Sequence, residues 1–194
     1  TILILVLQED DFSNFDLSSL RTLVFGSAPM IKTWIITARD AIPSMELWQG
    51  YGLTETSQML TLDRVPTQSE IAILKDDDRI RSAGRALIGT DLVILDDNGR
   101  EQPAGAIGEV VVRGPQIAKG YLNMPEETDR QFRHGWFYTG DLGCLDSDGF
   151  LYLHDRKKDM VITGGENVYS FEVEEALVQH PDVMEAAVFG VPDV

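Results

Sequence analysis

Apolar positions change their period along this chain, and each change marks an element. Residues 21–25 form a short apolar run that enters GSAPM (26–30), and apolar residues then recur at Ile31, Trp34, Ile35 and Ala38, the spacing of one helix face. Strand, glycine turn and helix in that order predict an α/β unit. A second run at 45–48 feeds QGYGLTETS (49–57), again a strand entering a glycine-rich turn. Ligands of α/β sheets gather outside the carboxyl ends of strands, so both turns lie where a site would form. After about Leu60 the texture becomes short β-prone runs between turn signals. DLVILDDNGR alternates and then breaks at Asn98-Gly99, and GEVVVRG repeats the form. Beyond DRKKD (155–159) come MVITGG, a helix begun by Ser170 as its N-cap with Glu172, Glu174 and Glu175 near its positive end, and the strand-like EAAVFGV. The expected division is an α/β part over 1–62, a β-rich part over 63–154, and a hinge with a truncated α+β lobe over 155–194.

Composition narrows the partners. The chain has 194 residues, 43% hydrophobic and 25% charged, with a formal net charge of −16. That charge opposes nucleic acid and anionic membranes, because neutralising phosphates needs clustered Lys and Arg. An anionic ligand must be held locally against the global field. The acidic runs at 9–11 and 76–78 lack the glycine and spaced oxygens of a calcium loop and read as solvated turns. Cys144 is the single cysteine, so the chain can form no internal disulfide and fits a reducing cytoplasm. His134, His154 and His180 show no metal-ligand spacing. The apolar run at 1–7 is too short to span a bilayer and lacks a basic preface, so neither a transmembrane anchor nor a signal peptide is expected. The chain opens inside that run and stops at Val194 directly after Pro192 and Asp193, which suggests a piece of a longer protein.

In QGYGLTETS the backbone of residues 50–52 can approach a planar ligand, Tyr51 can stack on a base, Thr54 can donate to a phosphate oxygen and Glu55 can hold magnesium. Spacing alone favours a plain turn. In GWFYTGDLG (135–143), Asp141 reads as a loop carboxylate able to accept both hydroxyls of a ribose, or as a turn-forming Asp. DRKKD is a solvated charged turn or a hinge with Arg156 donating to a sugar or phosphate. TGGEN (163–167) is a glycine turn or a place where backbone approaches a thin ligand.

The order of these segments decides more than any one of them. GSAPM, QGYGLTETS, GEVVVRGPQIAKGYLNMPEET, GWFYTGDLG, GFLYLHDRKKDMVITGGENVYSFEVEEAL and EAAVFGVPD together resemble the adenylate-forming superfamily, and within it the AMP-forming acyl-CoA synthetases, over nearly the whole chain. The resemblance implies α/β and β subdomains of the large adenylate-forming domain plus the start of a small α+β C-terminal lobe. It also implies activation of a small-molecule carboxylic acid by ATP with Mg2+, through an acyl-adenylate, and transfer of the acyl group to coenzyme A. No protein nucleophile is then needed, so catalysis would be positioning and charge stabilisation.

By the same resemblance, Gly26, Ser27 and Ala28 flank the acyl and adenine pockets, Gln49, Gly50 and Tyr51 with Gly52 line the adenine, Thr54 meets the α-phosphate and Glu55 the magnesium. Asp141 binds the ribose, helped by Arg156. Lys158 is the hinge about which the last lobe turns between the two half-reactions, and Gly164 and Gly165 reach the pantetheine channel. The family's Ser/Thr/Gly-rich phosphate loop and its C-terminal catalytic lysine have no match here, so these residues alone are expected not to adenylate. GGENVYSFEVE looks more like the fatty or general acyl branch than the luciferase and coumarate branch, Leu53 stands where peptide-synthetase adenylation domains usually carry Pro, and Ser170 where this branch often has Pro. Alternatives are an aryl-CoA ligase or other adenylating enzyme, and a non-catalytic remnant that binds nucleotide or a partner protein. Acid chain length and oligomeric state carry no signature in these residues.

Overall fold

The computed structural model describes residues 2–26, 30–67, 69–70, 73, 78–180 and 182–191. The chain divides into two compact units, Thr1–Leu87 and Ile88–Val194. In the first, helix α1 (Ile2–Leu7) precedes strand β1 (Thr22–Phe25), helix α2 (Lys32–Ala41) and strands β2 (Glu46–Tyr51), β3 (Thr61–Arg64) and β4 (Arg85–Ala86). The sheet order is β1-β2-β3-β4. β1 and β2 run parallel with Phe25 opposite Gln49, joined by the α2 crossover, and β3 returns antiparallel with Thr61 opposite Tyr51.

The helical spacing read from the sequence is the spacing that packs. Ile35, Ala38 and Ile42 bury one face of α2 against Met45, Leu47, Val65 and Ile80. Burying a side chain such as Ile35, which is fully inaccessible, is worth roughly 1.5–3 kcal/mol. The Arg39 guanidinium, at the C-terminal end of α2, donates to the Val65 carbonyl at 3.2 Å and ties the helix to the chain leaving β3.

The second unit is built on a meander. Strands β5 (Asp91–Leu95), β6 (Gly108–Arg113), β7 (Phe132–Arg133), β8 (Trp136–Leu145) and β9 (Leu151–Arg156) form one antiparallel sheet in which β8 pairs with β6 on one side and with β7 and β9 on the other. Helix α3 (Pro125–Gln131) starts on a proline, whose fixed φ suits a first turn. Val110, Val111 and Val112 are all inaccessible, so β6 is covered on both faces and its sequence runs apolar without alternation. Two turns use one device. Asp96 Oδ1 accepts from the N–H groups of Asn98 and Arg100, both at 2.8 Å, and Asp146 Oδ1 accepts from those of Asp148 and Phe150 at 2.9 and 2.8 Å.

The chain ends in a hairpin of β10 (Val161–Thr163) and β11 (Glu166–Val168), then helix α4 (Ser170–Val178). Four local expectations differ from this. Gln49, Gly50 and Tyr51, expected to open a glycine-rich turn, lie in β2 because they pair with Asp63, Leu62 and Thr61 of β3. EAAVFGV (185–191) is not a strand; its Val188 N–H donates to Glu174 Oε1 of α4 at 2.9 Å instead of to a neighbouring strand. Asp141 lies within β8 and not on a loop, because Gly140 at φ +74° carries the chain through an irregularity without ending the strand. Ser170 is the first residue of α4, after Tyr169 at the N-cap, and its hydroxyl points to Asp155. No described helix is long and apolar enough to cross a membrane.

Candidate functional site

In the first unit the glycines of two separate motifs meet. Gly26 follows β1 and Gly50 sits in β2, and a Cβ built on Gly26 would stand 2.4 Å from the Gly50 carbonyl oxygen. A Cβ on Gly50 would meet Met59 Sδ at 2.5 Å and the Thr61 oxygen at 2.9 Å. One on Gly52 would fall 1.8 Å from the Gln58 oxygen. Close approach of neighbouring chain therefore requires glycine at these positions. Ser27 and Ala28 lie outside the described residues.

Gln49 shares a strand face with Leu47 and Tyr51 and is buried, yet its Oε1 has no hydrogen-bond partner among the described residues. A buried acceptor left unpaired costs roughly 1–3 kcal/mol, so this oxygen is suited to an added donor. Tyr51 is buried, with its N–H donating to Thr61 Oγ1 at 3.3 Å. Thr61 Oγ1 in turn donates to the Ala83 carbonyl at 2.5 Å.

Thr54 and Glu55 stand in a single tight turn, Thr54–Thr56, with Thr54 exposed and Glu55 half-buried. Thr56, fully inaccessible, pins it: its Oγ1 accepts the Leu53 N–H at 2.9 Å and donates to the Leu53 carbonyl at 3.0 Å. Ser57 and Gln58 then take left-handed φ of +53° and +78° to turn the chain back toward β3. Described residues hold no cluster of three His, Cys, Asp or Glu able to bind a metal by themselves.

The second unit brings Asp141 and Arg156 together. They are cross-strand partners on β8 and β9, and Arg156 Nε lies 3.5 Å from Asp141 Oδ1. The Asp141 side chain is only 12% exposed against 57% for Arg156. Thr139 Oγ1 accepts the Asp141 N–H at 3.1 Å and donates to the Val110 carbonyl at 2.7 Å, fixing the backbone that carries the carboxylate.

Beside them Lys157 is anchored. Its N–H donates to the Gly140 carbonyl at 2.8 Å, and its Nζ reaches Asp97 at 2.8 Å and Glu109 at 3.2 Å. The hydrogen bond to Asp97, opposed by partial burial and aided by the Glu109 charge, holds Lys157 above the ordinary lysine range. Lys158 follows, exposed, on the turn leading to β10. Gly164 and Gly165, at φ +60° and +89°, are the two-residue turn of the β10–β11 hairpin, the left-handed pair such a turn demands. Burial pushes the Cys144 thiol up, with the Asp146 charge adding to it, which is the opposite of an activated nucleophile.

Three structurally important residues had no distinct mark in the sequence. Thr56 reads as one more hydroxyl in the motif, Glu109 as a charge in a strand, and Asp155 as part of a charged run; each acts on a backbone group or cation that only the fold brings near.

The family described as "AMP-binding enzyme" matches residues 1–122, and its "AMP-binding enzyme C-terminal domain" matches residues 172–194. The chain belongs to the AMP-binding enzyme family. Its relatives in that family include a 2-succinylbenzoate–CoA ligase of Geobacillus kaustophilus, 43% identical over 89% of this chain and 33% of the relative, and a long-chain-fatty-acid–CoA ligase of Bacillus subtilis, 38% identical over 100% and 33%. The o-succinylbenzoate coenzyme A synthetase of Bacillus subtilis, solved in complex with ATP and magnesium ion, superposes with a TM-score of 0.82 at 35% identity, covering 99% of this chain and 38% of that one. The chain spans about a third of the length of the curated relatives it matches. The mixed α/β architecture with several sheets is thus a portion of the adenylate-forming fold, as the six collinear blocks imply.

Proposed function

We propose that this AMP-binding enzyme chain is the nucleotide-binding portion of an AMP-forming acyl-CoA synthetase, which joins a carboxylic acid to AMP and then passes the acyl group to coenzyme A. The observation that carries the reading is the buried Gln49 Oε1, unpaired among the described residues, on the strand whose Gly50 the Gly26 backbone approaches closely. An exocyclic amine of a purine is a donor that suits this oxygen. ATP supplies the electrophilic α-phosphorus when bound, and Mg2+ shields its phosphate charge. A single carboxylate, Glu55, is enough for an ion that keeps phosphate and water oxygens as its other ligands.

Thr54 is proposed to donate to the α-phosphate, with Thr56 holding the turn that aims it. Asp141 is proposed to accept from the ribose hydroxyls, with Arg156 beside it directing the carboxylate. Gly26, Ser27 and Ala28 would border the acyl pocket, and Gly164 and Gly165 the path of the pantetheine arm. Lys158 is proposed as the hinge between the half-reactions. Anchoring of Lys157 to Gly140, Asp97 and Glu109 supports that place for it, because it fixes the chain to the sheet on the near side of Lys158.

The relatives' names cover both 2-succinylbenzoate and long-chain fatty acids, and we take a fatty acid as the substrate class on the strength of GGENVYSFEVE. The test is a panel of fatty and aromatic acids given to the natural protein that carries this chain, read as acid-dependent pyrophosphate exchange and as CoA thioester. Exchange and thioester with fatty acids are expected. Exchange with aromatic acids alone would move the substrate class, and exchange with none would remove the ligase reading.

A further inference from the structure

The segment after Lys158 is held to the sheet through Asp155. Its Oδ2 accepts both the Ser170 N–H at 2.5 Å and the Ser170 hydroxyl at 2.9 Å, while Oδ1 accepts the N–H of Arg156 at 2.7 Å. Ser170 is buried and opens α4, so the carboxylate also sits at the positive end of a nine-residue helix. Next to this contact the His154 and Tyr169 rings lie 5.5 Å apart. Both pairs join β9, on the near side of Lys158, to residues on its far side. The hairpin β10–β11 pairs only with itself.

We propose that Asp155 is a positioning residue, a latch whose carboxylate holds α4 against β9 and must let go of Ser170 whenever the distal segment turns about Lys158. The role rests on the two-step ligase reading for its effect on catalysis, and on the hydrogen bonds alone for its existence. A carboxylate taking two donors from one residue gives a discrete docked position. Rotation about 158 carries Ser170 away from β9 and leaves both donors to water. The latch thereby sets how much of the protein is docked, and with it the balance between the two half-reactions.

Two variants separate this from a general loss of structure. Asp155→Ala removes the acceptor. Ser170→Pro removes both donors yet is compatible with the first helical position, where proline's fixed φ and missing N–H are tolerated. In the natural protein, amide exchange over 171–178 is expected to rise about tenfold or more in either variant, since hydrogen bonds to a charged group are among the stronger ones. The ratio of single-turnover adenylation to thioester formation is expected to shift about tenfold, in the same direction for both. Unchanged exchange would overturn the latch. Faster exchange with both half-reactions altered equally would overturn its positioning role. If the wild-type protein forms no acyl-adenylate, the ligase reading fails by itself, and the exchange arm still decides whether the latch exists.

Discussion

Thr56→Val tests whether the turn bearing Thr54 and Glu55 is held by one hydroxyl. Valine keeps the volume of a side chain that is fully inaccessible, so no cavity opens. What goes is the acceptor for the Leu53 N–H at 2.9 Å and the donor to the Leu53 carbonyl at 3.0 Å. The carbonyl keeps the N–H groups of Thr56 and Gln58 at 3.1 and 3.0 Å, so its loss is small. The half-buried Leu53 N–H is orphaned, at a cost of about 1–3 kcal/mol. With a urea m-value of about 2 kcal/mol/M, the unfolding midpoint should fall by about 0.5–1.5 M. The KM for ATP should rise several-fold while the KM for the acid stays put. Thr56→Ser keeps the hydroxyl and loses a methyl, so it should lose up to about 1 kcal/mol of stability and retain the ATP KM. A valine variant with wild-type midpoint and ATP KM, or a serine variant as impaired toward ATP as valine, would mean that the Thr56 hydroxyl does not hold the turn.

Other expectations are checked as simply. Gly52→Ala places a Cβ 1.8 Å from the Gln58 oxygen and must displace main chain, so a loss of at least about 2 kcal/mol is expected by chemical denaturation, and a neutral result would contradict the packing. Asp141→Ala should weaken nucleotide affinity more than acid affinity by calorimetry; equal affinities for nucleotide in variant and wild type would remove Asp141 from the site. The paired hydrogen bonds from Arg64, with those of the Thr67 N–H and hydroxyl, lower the Glu70 carboxyl from 4.5 to about 2. Because the folded state binds this proton less readily, the stabilisation is complete above about 4.5 and vanishes as pH falls toward 2. The pair is partly exposed, so it is worth at most about 1 kcal/mol. Glu70→Gln should flatten that acid limb in a pH series of melting curves, and an unchanged slope would contradict the pairing.

Much of the fold was legible because short-range pattern and burial agree. The helix stripe through Ile35 and Ala38, the strands before and after it and the turn after Asp97 follow from local spacing. What escaped depends on partners far along the chain. Asp141 reads as a loop residue because Gly140 interrupts the apolar alternation, yet pairing with Arg156 keeps it in a strand. EAAVFGV has strand composition, but its Val188 N–H is taken by the Glu174 side chain on α4. Ser170 has the composition of an N-cap, but the acceptor at that helix end comes from Asp155, fifteen positions earlier. At the site, the glycines announced themselves by type, whereas the need for each came from approaches such as Gly26 to Gly50 that no single motif contains.

The most direct measurement is mass spectrometry of a quenched single turnover by the natural protein, with ATP, Mg2+ and a fatty acid but no coenzyme A. An enzyme-bound acyl-AMP with one equivalent of pyrophosphate is expected, consumed to thioester and AMP when coenzyme A is added. Formation of ADP with an acyl phosphate, or thioester appearing without any adenylate, would contradict the ligase reading.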